Sequence, residues 1–347
     1  RSLESLPLSD ADQQEIGRLI RIAAGDARRS SHAFSLELGF GATTNANDWP
    51  TADRVTRGNG ETLPAPVSVY GGSRAYSDTR AHLRLGLDGT FRFDAIDTSA
   101  FYAVTVAATR PDRTVESEGQ TVSVSTGIRH HLDATVLSLG LGHSRADRVN
   151  TYGADALPVT TDVAARSVFA RVDTRLRGDH LLAYRISRGR EDHSGLPDAD
   201  NSDADRTTHR LTWHAPIGAD AFTAVRVTRS RSRARLSTVP ARRVSDRDRT
   251  AVAVSWGTRL GDAQRVEVGG SLGVTTFPRQ RIADSKREDR ERTLSLLYGH
   301  QLGGISDHLA GWEMVLETAY RDTESNQSLA EVNEITGMLT LKREWAF

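Results

Sequence analysis

The chain has 347 residues, with 45 basic and 45 acidic side chains, so its formal net charge is zero and the charge balance gives no argument for nucleic acid. It contains no cysteine, which excludes disulfides, thiolate metal sites and cysteine nucleophiles. No apolar run approaches the roughly 20 residues that a membrane-spanning helix needs, but a transmembrane barrel, whose strands alternate apolar and polar residues, has the same average hydropathy.

Residues 1–30 differ from the rest of the chain and predict a short amphipathic helix over residues 10–24. Ser9 is a suitable N-cap and Gly25 a suitable C-cap. One apolar stripe recurs at intervals of three and four residues, through Ile16, Leu19, Ile20 and Ala23. We expect this helix to pack against the rim of the domain that follows, to plug that domain, or to end a helical periplasmic domain.

Beyond residue 33 the chain consists of segments that alternate apolar and polar residues, as strands with one apolar face do. The first segment places Phe34, Leu36 and Leu38 on one face, with Ser35 and Glu37 on the other. Fourteen segments have this pattern: Ala33–Ala42, Asp78–Phe93, Ala100–Thr109, Gln120–Arg129, Thr135–Ser144, Ala165–Leu176, His180–Arg190, Asp205–Ala215, Ala221–Arg231, Asp248–Thr258, Arg265–Thr276, Arg290–Leu302, Gly311–Arg321 and Ile335–Phe347.

The connections between these segments alternate between long and short. A long connection at 145–163 precedes a short turn at Arg177–Asp179, and a long one at 277–289 precedes a turn at 303–309. Transmembrane barrels have short periplasmic turns and longer extracellular loops, whereas a soluble sandwich gives no reason for such alternation. The sequence therefore predicts an all-β fold over residues 31–347: a transmembrane antiparallel up-and-down β-barrel of about 14 strands, in the bacterial outer membrane, with both termini in the periplasm.

The last strand ends the chain on an aromatic residue, Phe347. In bacterial outer-membrane barrels a last strand ending in phenylalanine is the common assembly signal, and Ile335–Phe347 resembles it. The alternative is an ordinary edge strand that happens to end in phenylalanine. The resemblance implies the barrel assembly machinery as a partner, besides the lipid bilayer and lipopolysaccharide that would surround the barrel.

Aromatic residues gather at the short-turn ends of the predicted strands, on the apolar face. Amphipathic rings settle at membrane–water interfaces, so we expect one girdle there. The core tryptophans of a soluble protein would not favour one end. The predicted girdle residues are Phe91, Phe93, Trp213, Trp256, Trp312 and Trp345.

The polar face is predicted to line the lumen, which a barrel of this size does not fill with side chains alone. A ring of arginines there could select anions; alternatively, the arginines pair with the acids and partly close the lumen. Arginine and glutamate concentrate on different strands, which could set up a transverse field. The predicted pore-lining residues are Arg84, Arg92, Arg129, Arg171, Arg175, Arg185, Arg206, Arg210, Arg226, Glu267, Glu313 and Glu317.

No catalytic group is evident in the predicted strands. His209 and His214 fall on opposite faces, and neither has a convincing serine partner. The run Arg229–Arg235 (RSRSRAR) could suggest nucleic acid, but a solvated loop or contact with lipopolysaccharide phosphates suits it better. We therefore expect no enzyme activity, no cofactor, no metal and no nucleic-acid partner.

The segment Phe34–Pro50 (FSLELGFGATTNANDWP), a first strand that enters an asparagine-rich stretch, resembles the start of the barrel in surface lipoprotein assembly modifier (Slam-type) proteins. Those proteins have a periplasmic helical-repeat domain followed by a fourteen-strand barrel. The resemblance implies translocation or surface display of a protein cargo, and it carries over no catalytic residue. The alternatives are a porin-like channel for small solutes, an exopolysaccharide-export barrel, or a structural barrel of an envelope complex.

Overall fold

The computed structural model describes most of the chain from Ser30 onward. The described residues are 30–45, 54–56, 62–64, 77–93, 96–112, 118–150, 159–194, 203–235, 246–282, 285–326 and 331–347. The helix predicted over residues 10–24 lies outside them, and so does its proposed role as a plug or rim element.

Sixteen strands form in the described residues, and fourteen of them make one closed barrel. The barrel strands are β1 (Ser30–Thr43), β4 (Asp78–Phe93), β5 (Thr98–Pro111), β6 (Gly119–Leu132), β7 (Thr135–Asn150), β8 (Val159–Arg175), β9 (Leu181–Ser194), β10 (Ala204–Ile217), β11 (Ala221–Ala234), β12 (Arg247–Leu260), β13 (Gln264–Ile282), β14 (Ser285–Gln301), β15 (Trp312–Ser325) and β16 (Val332–Ala346). A separate hairpin pairs β2 (Arg54–Thr56) with β3 (Thr62–Pro64).

The short connections are turns, and two of them contain single-turn 3-10 helices: Arg177–Asp179 before β9, and Leu302–Gly304 with Asp307–Leu309 before β15. Gly218 and Gly261 adopt φ values of 68° and 73° in the turns after β10 and β12, a conformation that favours glycine. Within the described residues, no helix has the length and apolar character required to span a membrane.

Each barrel strand pairs antiparallel with its neighbour in the chain, and β1 closes the barrel by pairing with β16. The closing ladder runs from Ala33 opposite Ala346 to Thr43 opposite Thr336. Beyond it, the backbone N–H of Phe347 donates to the carbonyl of His32 at 2.9 Å, and the N–H of His32 donates back at 3.1 Å. The predicted antiparallel barrel of about 14 strands is confirmed.

Period-2 alternation divides every strand between an apolar outer face and a polar inner face. Leu294 and Leu272, on the outer face, are 63% and 64% exposed, while Glu37 on the inner face is 2% exposed. Burying a leucine side chain is worth about 1.5–3 kcal/mol, so a belt of exposed leucine and valine is stable only in an apolar medium. The barrel is thus built inside out, with its apolar side chains turned to lipid.

The strands extend further than their apolar cores, so several predicted loops are too long. The connection predicted at 277–289 is wrong as a loop, because β13 runs to Ile282 and β14 begins at Ser285. The ladder between them continues past a register shift between Phe277 and Arg281. Alternation fades there because most residues on both faces are polar, and the sheet continues through backbone pairing and inward contacts such as that of Arg287, whose guanidinium lies 4.3 Å from the ring centre of Phe277.

Candidate functional site

The inner wall of β8, β9 and β10 carries three arginines side by side. Arg171 is the register partner of Arg185, which in turn is opposite Arg210. Directly opposed side chains on one face have Cβ atoms about 5 Å apart, and like charges there destabilise a sheet. Asp173 offsets part of this repulsion, because its two carboxylate oxygens accept from Nε of Arg171 at 2.7 and 2.8 Å.

Two phenylalanines of the inner wall, Phe101 on β5 and Phe169 on β8, lie under the guanidinium groups of Arg129 and Arg185, and the sequence analysis did not single them out. The guanidinium of Arg129 lies 4.1 Å from the ring centre of Phe101, and that of Arg185 lies 4.1 Å from Phe169. The two rings are 6.2 Å apart and buried inside the barrel. Cation–π attraction of this kind is worth about 2 kcal/mol when desolvated, so the aromatic faces partly replace carboxylates as partners for the arginines.

Glycines make room for these rings. Phe101 is the register partner of Gly127, Gly127 is opposite Gly140, and Gly140 is opposite Phe169. A Cβ on Gly140 would lie 2.4 Å from Cζ of Phe169, and one on Gly127 would lie 2.7 Å from Cζ of Phe101. We call these four residues, Phe101, Gly127, Gly140 and Phe169, the Phe–Gly row. A sequence signal existed, namely inward phenylalanines opposite glycines, but it becomes visible only once the register is known.

The wall from β12 to β16 carries ion pairs instead. They are Arg249–Glu291 at 2.8 Å, Arg265–Glu313 at 2.6 Å and Arg321–Glu334 at 2.7 Å. The Arg265–Glu313 pair joins β13 to β15 across Gly299 of β14, where a Cβ would lie 2.5 Å from the carboxylate. Glycine therefore lets ionic partners meet over an intervening strand, as it lets the phenylalanine rings lie flat.

A buried carboxylate sits at the seam where the barrel closes. Glu37 of β1 is flanked by Arg84 of β4 and Lys342 of β16, each with a nitrogen 3.7 Å from its carboxylate. Both cations are direct register partners of Glu37. The seam is therefore held by an ionic bridge as well as by backbone hydrogen bonds.

The inward charges divide between two halves of the wall. On β6 to β11 inward cations outnumber inward acids. The cations are Arg129, Arg171, Arg185, Arg206, Arg210 and Arg226, and the acids are Asp173 and Glu191. On β13 to β16 and β1 the described inward acids outnumber the described inward cations. The acids are Glu267, Asp289, Glu291, Glu313, Glu317, Glu334, Glu344 and Glu37, and the cations are Arg265, Arg287, Arg321 and Lys342. This net difference in sign favours a field across the lumen, which Arg249 of β12 and Arg84 of β4 reduce because they pair with Glu291 and Glu37 of the acidic strands.

The remaining residues predicted to line the pore fall into two groups. Arg92 and Arg175 lie at the short-turn rim, where each pairs with a turn carboxylate, Asp97 at 3.7 Å and Asp179 at 2.6 Å. Arg206 lies toward the long-connection end, near the start of β10, and pairs with Glu191 at 3.2 Å. Arg226 and Glu267 are buried on the inner wall, whereas Arg210 and Glu317 are half-buried there.

The predicted girdle residues lie together at the short-turn end of the outer face. Phe91, Phe93 and Trp256 are exposed there. The other members contact neighbouring rings: Trp213 with His180 at 5.6 Å, Trp312 with Trp345 at 6.3 Å, and Trp345 with Phe34 at 5.4 Å. The guanidinium of Arg343 lies 4.9 Å from the ring centre of Trp345. Their role at a membrane interface stays a prediction.

No group of three or more histidine or acidic side chains in the described residues could hold a metal ion. Many charged groups of the inner wall are instead paired with each other or stacked on rings.

No protein-family model matches the chain, and neither does any curated protein. Among solved structures, the chain is similar to a loop L8 deletion mutant of OmpT, an outer membrane protein of Vibrio cholerae, with 10% identity over 92% of this chain and 100% of that one at a TM-score of 0.48. It is also similar to the outer membrane channel DcaP of Acinetobacter baumannii (8% identity, 91% and 97% covered, TM-score 0.49) and to a FadL homologue of Pseudomonas aeruginosa (9% identity, 91% and 90% covered, TM-score 0.47). Because these TM-scores are below 0.5, the fold assignment is based on the closed ladder of fourteen strands and not on these similarities.

Proposed function

We propose that this chain is an outer-membrane channel whose charge-divided lumen passes small, charged or dipolar solutes. The observation that supports this function is the excess of arginine on β6 to β11 opposite an excess of carboxylates on β13 to β16 and β1. A field between such walls orients a solute that carries both charges and attracts each end to one wall. In this proposal the short-turn end, where β1 begins at Ser30 and β16 ends at Ala346, faces the periplasm.

Ion selectivity tests this function, because the two walls act in opposite directions. The refolded protein is inserted in a planar bilayer, and the reversal potential is measured in a KCl gradient. The R185Q/R210Q variant should shift selectivity toward cations, and the matched E313Q/E317Q variant should shift it toward anions. If either variant moves the potential the wrong way, or inserted wild-type protein shows no conductance, the channel proposal fails.

A protein-translocation function remains the second candidate because of the resemblance of Phe34–Pro50 to Slam-type barrels. The cargo would be a protein delivered to the cell surface, and a periplasmic helical-repeat domain would be the partner. The same bilayer recording separates the two functions. Translocation would be supported by two results together: the barrel inserts in the bilayer but does not conduct, and cells that lack the barrel fail to expose a protein cargo on their surface.

A further inference from the structure

A groove of about 710 Å³ runs along the outer face of the barrel over β6 to β9. Its floor is apolar: Val124, Leu141 and Val168 are exposed side chains on three adjacent strands. Leu141 and Val168 are register partners, so the floor is continuous from strand to strand. A floor of this composition suits acyl chains.

Three arginines, Arg166, Arg188 and Arg190, cover the end of the groove nearer the long connections. Arg166 is the register partner of Arg190, and Arg188 follows on the same face two residues from Arg190. Like charges in direct opposition destabilise a sheet unless something neutralises them. We call Arg166, Arg188 and Arg190 the outer arginine cluster.

Few carboxylates neutralise the outer arginine cluster. Arg190 pairs with Asp192 at 2.8 Å, and Asp205 also lines the groove. In the part of the chain that the structure describes, Arg166 and Arg188 have no acidic partner. Two exposed guanidinium groups are therefore available to an anion from outside the protein.

Arginines at the same level on the other side of the barrel are already paired. Arg292 of β14 lies 2.9 Å from Glu324, and Arg290 lies 3.0 Å from Glu288. On β11, Arg233 pairs with Asp248 at 2.7 Å. Pairing at this level is not universal, since Arg229 of β11 is exposed with no acidic partner among the described residues, so what distinguishes the groove is three neighbouring arginines beside an apolar floor.

The level of the cluster matches the head-group region of one leaflet. Nine residue steps separate Arg166 from Arg175 at the short-turn end of β8. At about 3.3 Å per residue and a tilt of about 40°, this places Arg166 roughly 23 Å above that end, close to the far edge of an apolar band about 25 Å tall. Arg166 at this level would meet phosphates, and Arg188, which lies opposite Val168 two residues lower, would reach them by extending its long side chain along the groove.

We propose that this groove binds a phosphorylated glycolipid of the outer leaflet, the lipid A part of lipopolysaccharide. Its phosphates would contact Arg166 and Arg188, and an acyl chain would lie over Leu141 and Val168. Guanidinium groups bind phosphate through paired, charge-assisted hydrogen bonds, which are stronger than neutral ones. The inference needs the long connections to face outward, but not a conducting lumen.

Lipid binding to the purified barrel in detergent tests the site. Bisphosphorylated lipid A is titrated against the wild type and R166Q/R188Q, with lipid-bound protein counted by native mass spectrometry. Losing two charge-assisted contacts should weaken binding roughly 100-fold. The matched control R290Q/R292Q, at the same level on β14, should bind like the wild type, and R166K/R188K should retain part of the affinity.

Two outcomes would overturn the proposal. The first is that R166Q/R188Q binds lipid A with wild-type affinity while its heat-modifiable migration shows that the variant is folded. The other is phosphatidylglycerol binding as tightly as lipid A with the same loss in the variant, which would make the groove a site for inner-leaflet phospholipid. Neither outcome depends on conductance, so a failed channel proposal and a failed lipid site are distinguishable.

Discussion

Single residues on the inner wall solve a packing problem that alternation alone does not reveal. The ring of Phe169 fills the space over Gly140 and also carries the guanidinium of Arg185. The three positions are linked, because without the glycine the ring has no room, and without the ring Arg185 loses its aromatic partner. The Phe–Gly row therefore stabilises both the sheet and its charges.

Replacing Phe169 by alanine should lower the free energy of unfolding by about 3 kcal/mol, because it opens a cavity over Gly140 and leaves Arg185 without its aromatic partner. Urea titration in detergent, followed by tryptophan fluorescence, measures the change. Phe40, which is 62% exposed on the outer face, is the matched control, and its alanine variant should change stability much less. Equal losses in the two variants would argue against a special role for the row.

The closing strand is the element on which the barrel most depends, since no other pair joins residues so far apart in the chain. Phe347 extends this pairing beyond β16 through its two hydrogen bonds with His32, and the two rings lie 5.9 Å apart. His32 in turn contacts Phe91 at 5.0 Å and Tyr102, whose hydroxyl lies 3.0 Å from Nδ1 of His32. The terminal residue thus belongs to a cluster that spans the seam.

Deleting Phe347 should slow assembly several-fold, because it removes the last two hydrogen bonds of the seam and one ring of the cluster. The fraction of heat-modifiable barrel is followed over time in lipid vesicles, with and without the purified assembly machinery. Phe347→Tyr, which keeps ring and backbone, should assemble at the wild-type rate. Wild-type kinetics after the deletion would show that the terminal aromatic has no role in assembly.

The architecture of the whole barrel is determined by the apolar outer face and the polar inner face of its strands, and this architecture was predictable from the sequence. Strand number, antiparallel order and the outward aromatics all depend on period 2, which each segment displays locally. The lumen was less predictable, since which inward residues meet depends on register between strands: Arg265 reaches Glu313 across 48 positions. The predicted strands were also too short, because polar residues on both faces of β13 and β14 remove the alternation from which their ends could be predicted.

An apolar outer face predicts how the molecule behaves in different solvents. The chain should refold to a monomeric, heat-modifiable barrel in detergent micelles and should associate in plain buffer, because its exposed leucines and valines gain free energy only in an apolar medium. Sedimentation velocity in both solvents measures this. A stable monomer in plain buffer at micromolar concentration would contradict the membrane assignment.

The hairpin of β13 and β14 is taller than the apolar band of the barrel. Its strands have 19 and 17 residues, and at about 3.3 Å per residue with a tilt of about 40° the longer one rises roughly 48 Å, nearly twice the height of the apolar band. About half of this hydrogen-bonded ribbon would therefore stand clear of the bilayer as a stiff spike. An epitope tag placed in this hairpin and detected on intact cells would show that the long connections face outward, as proposed above.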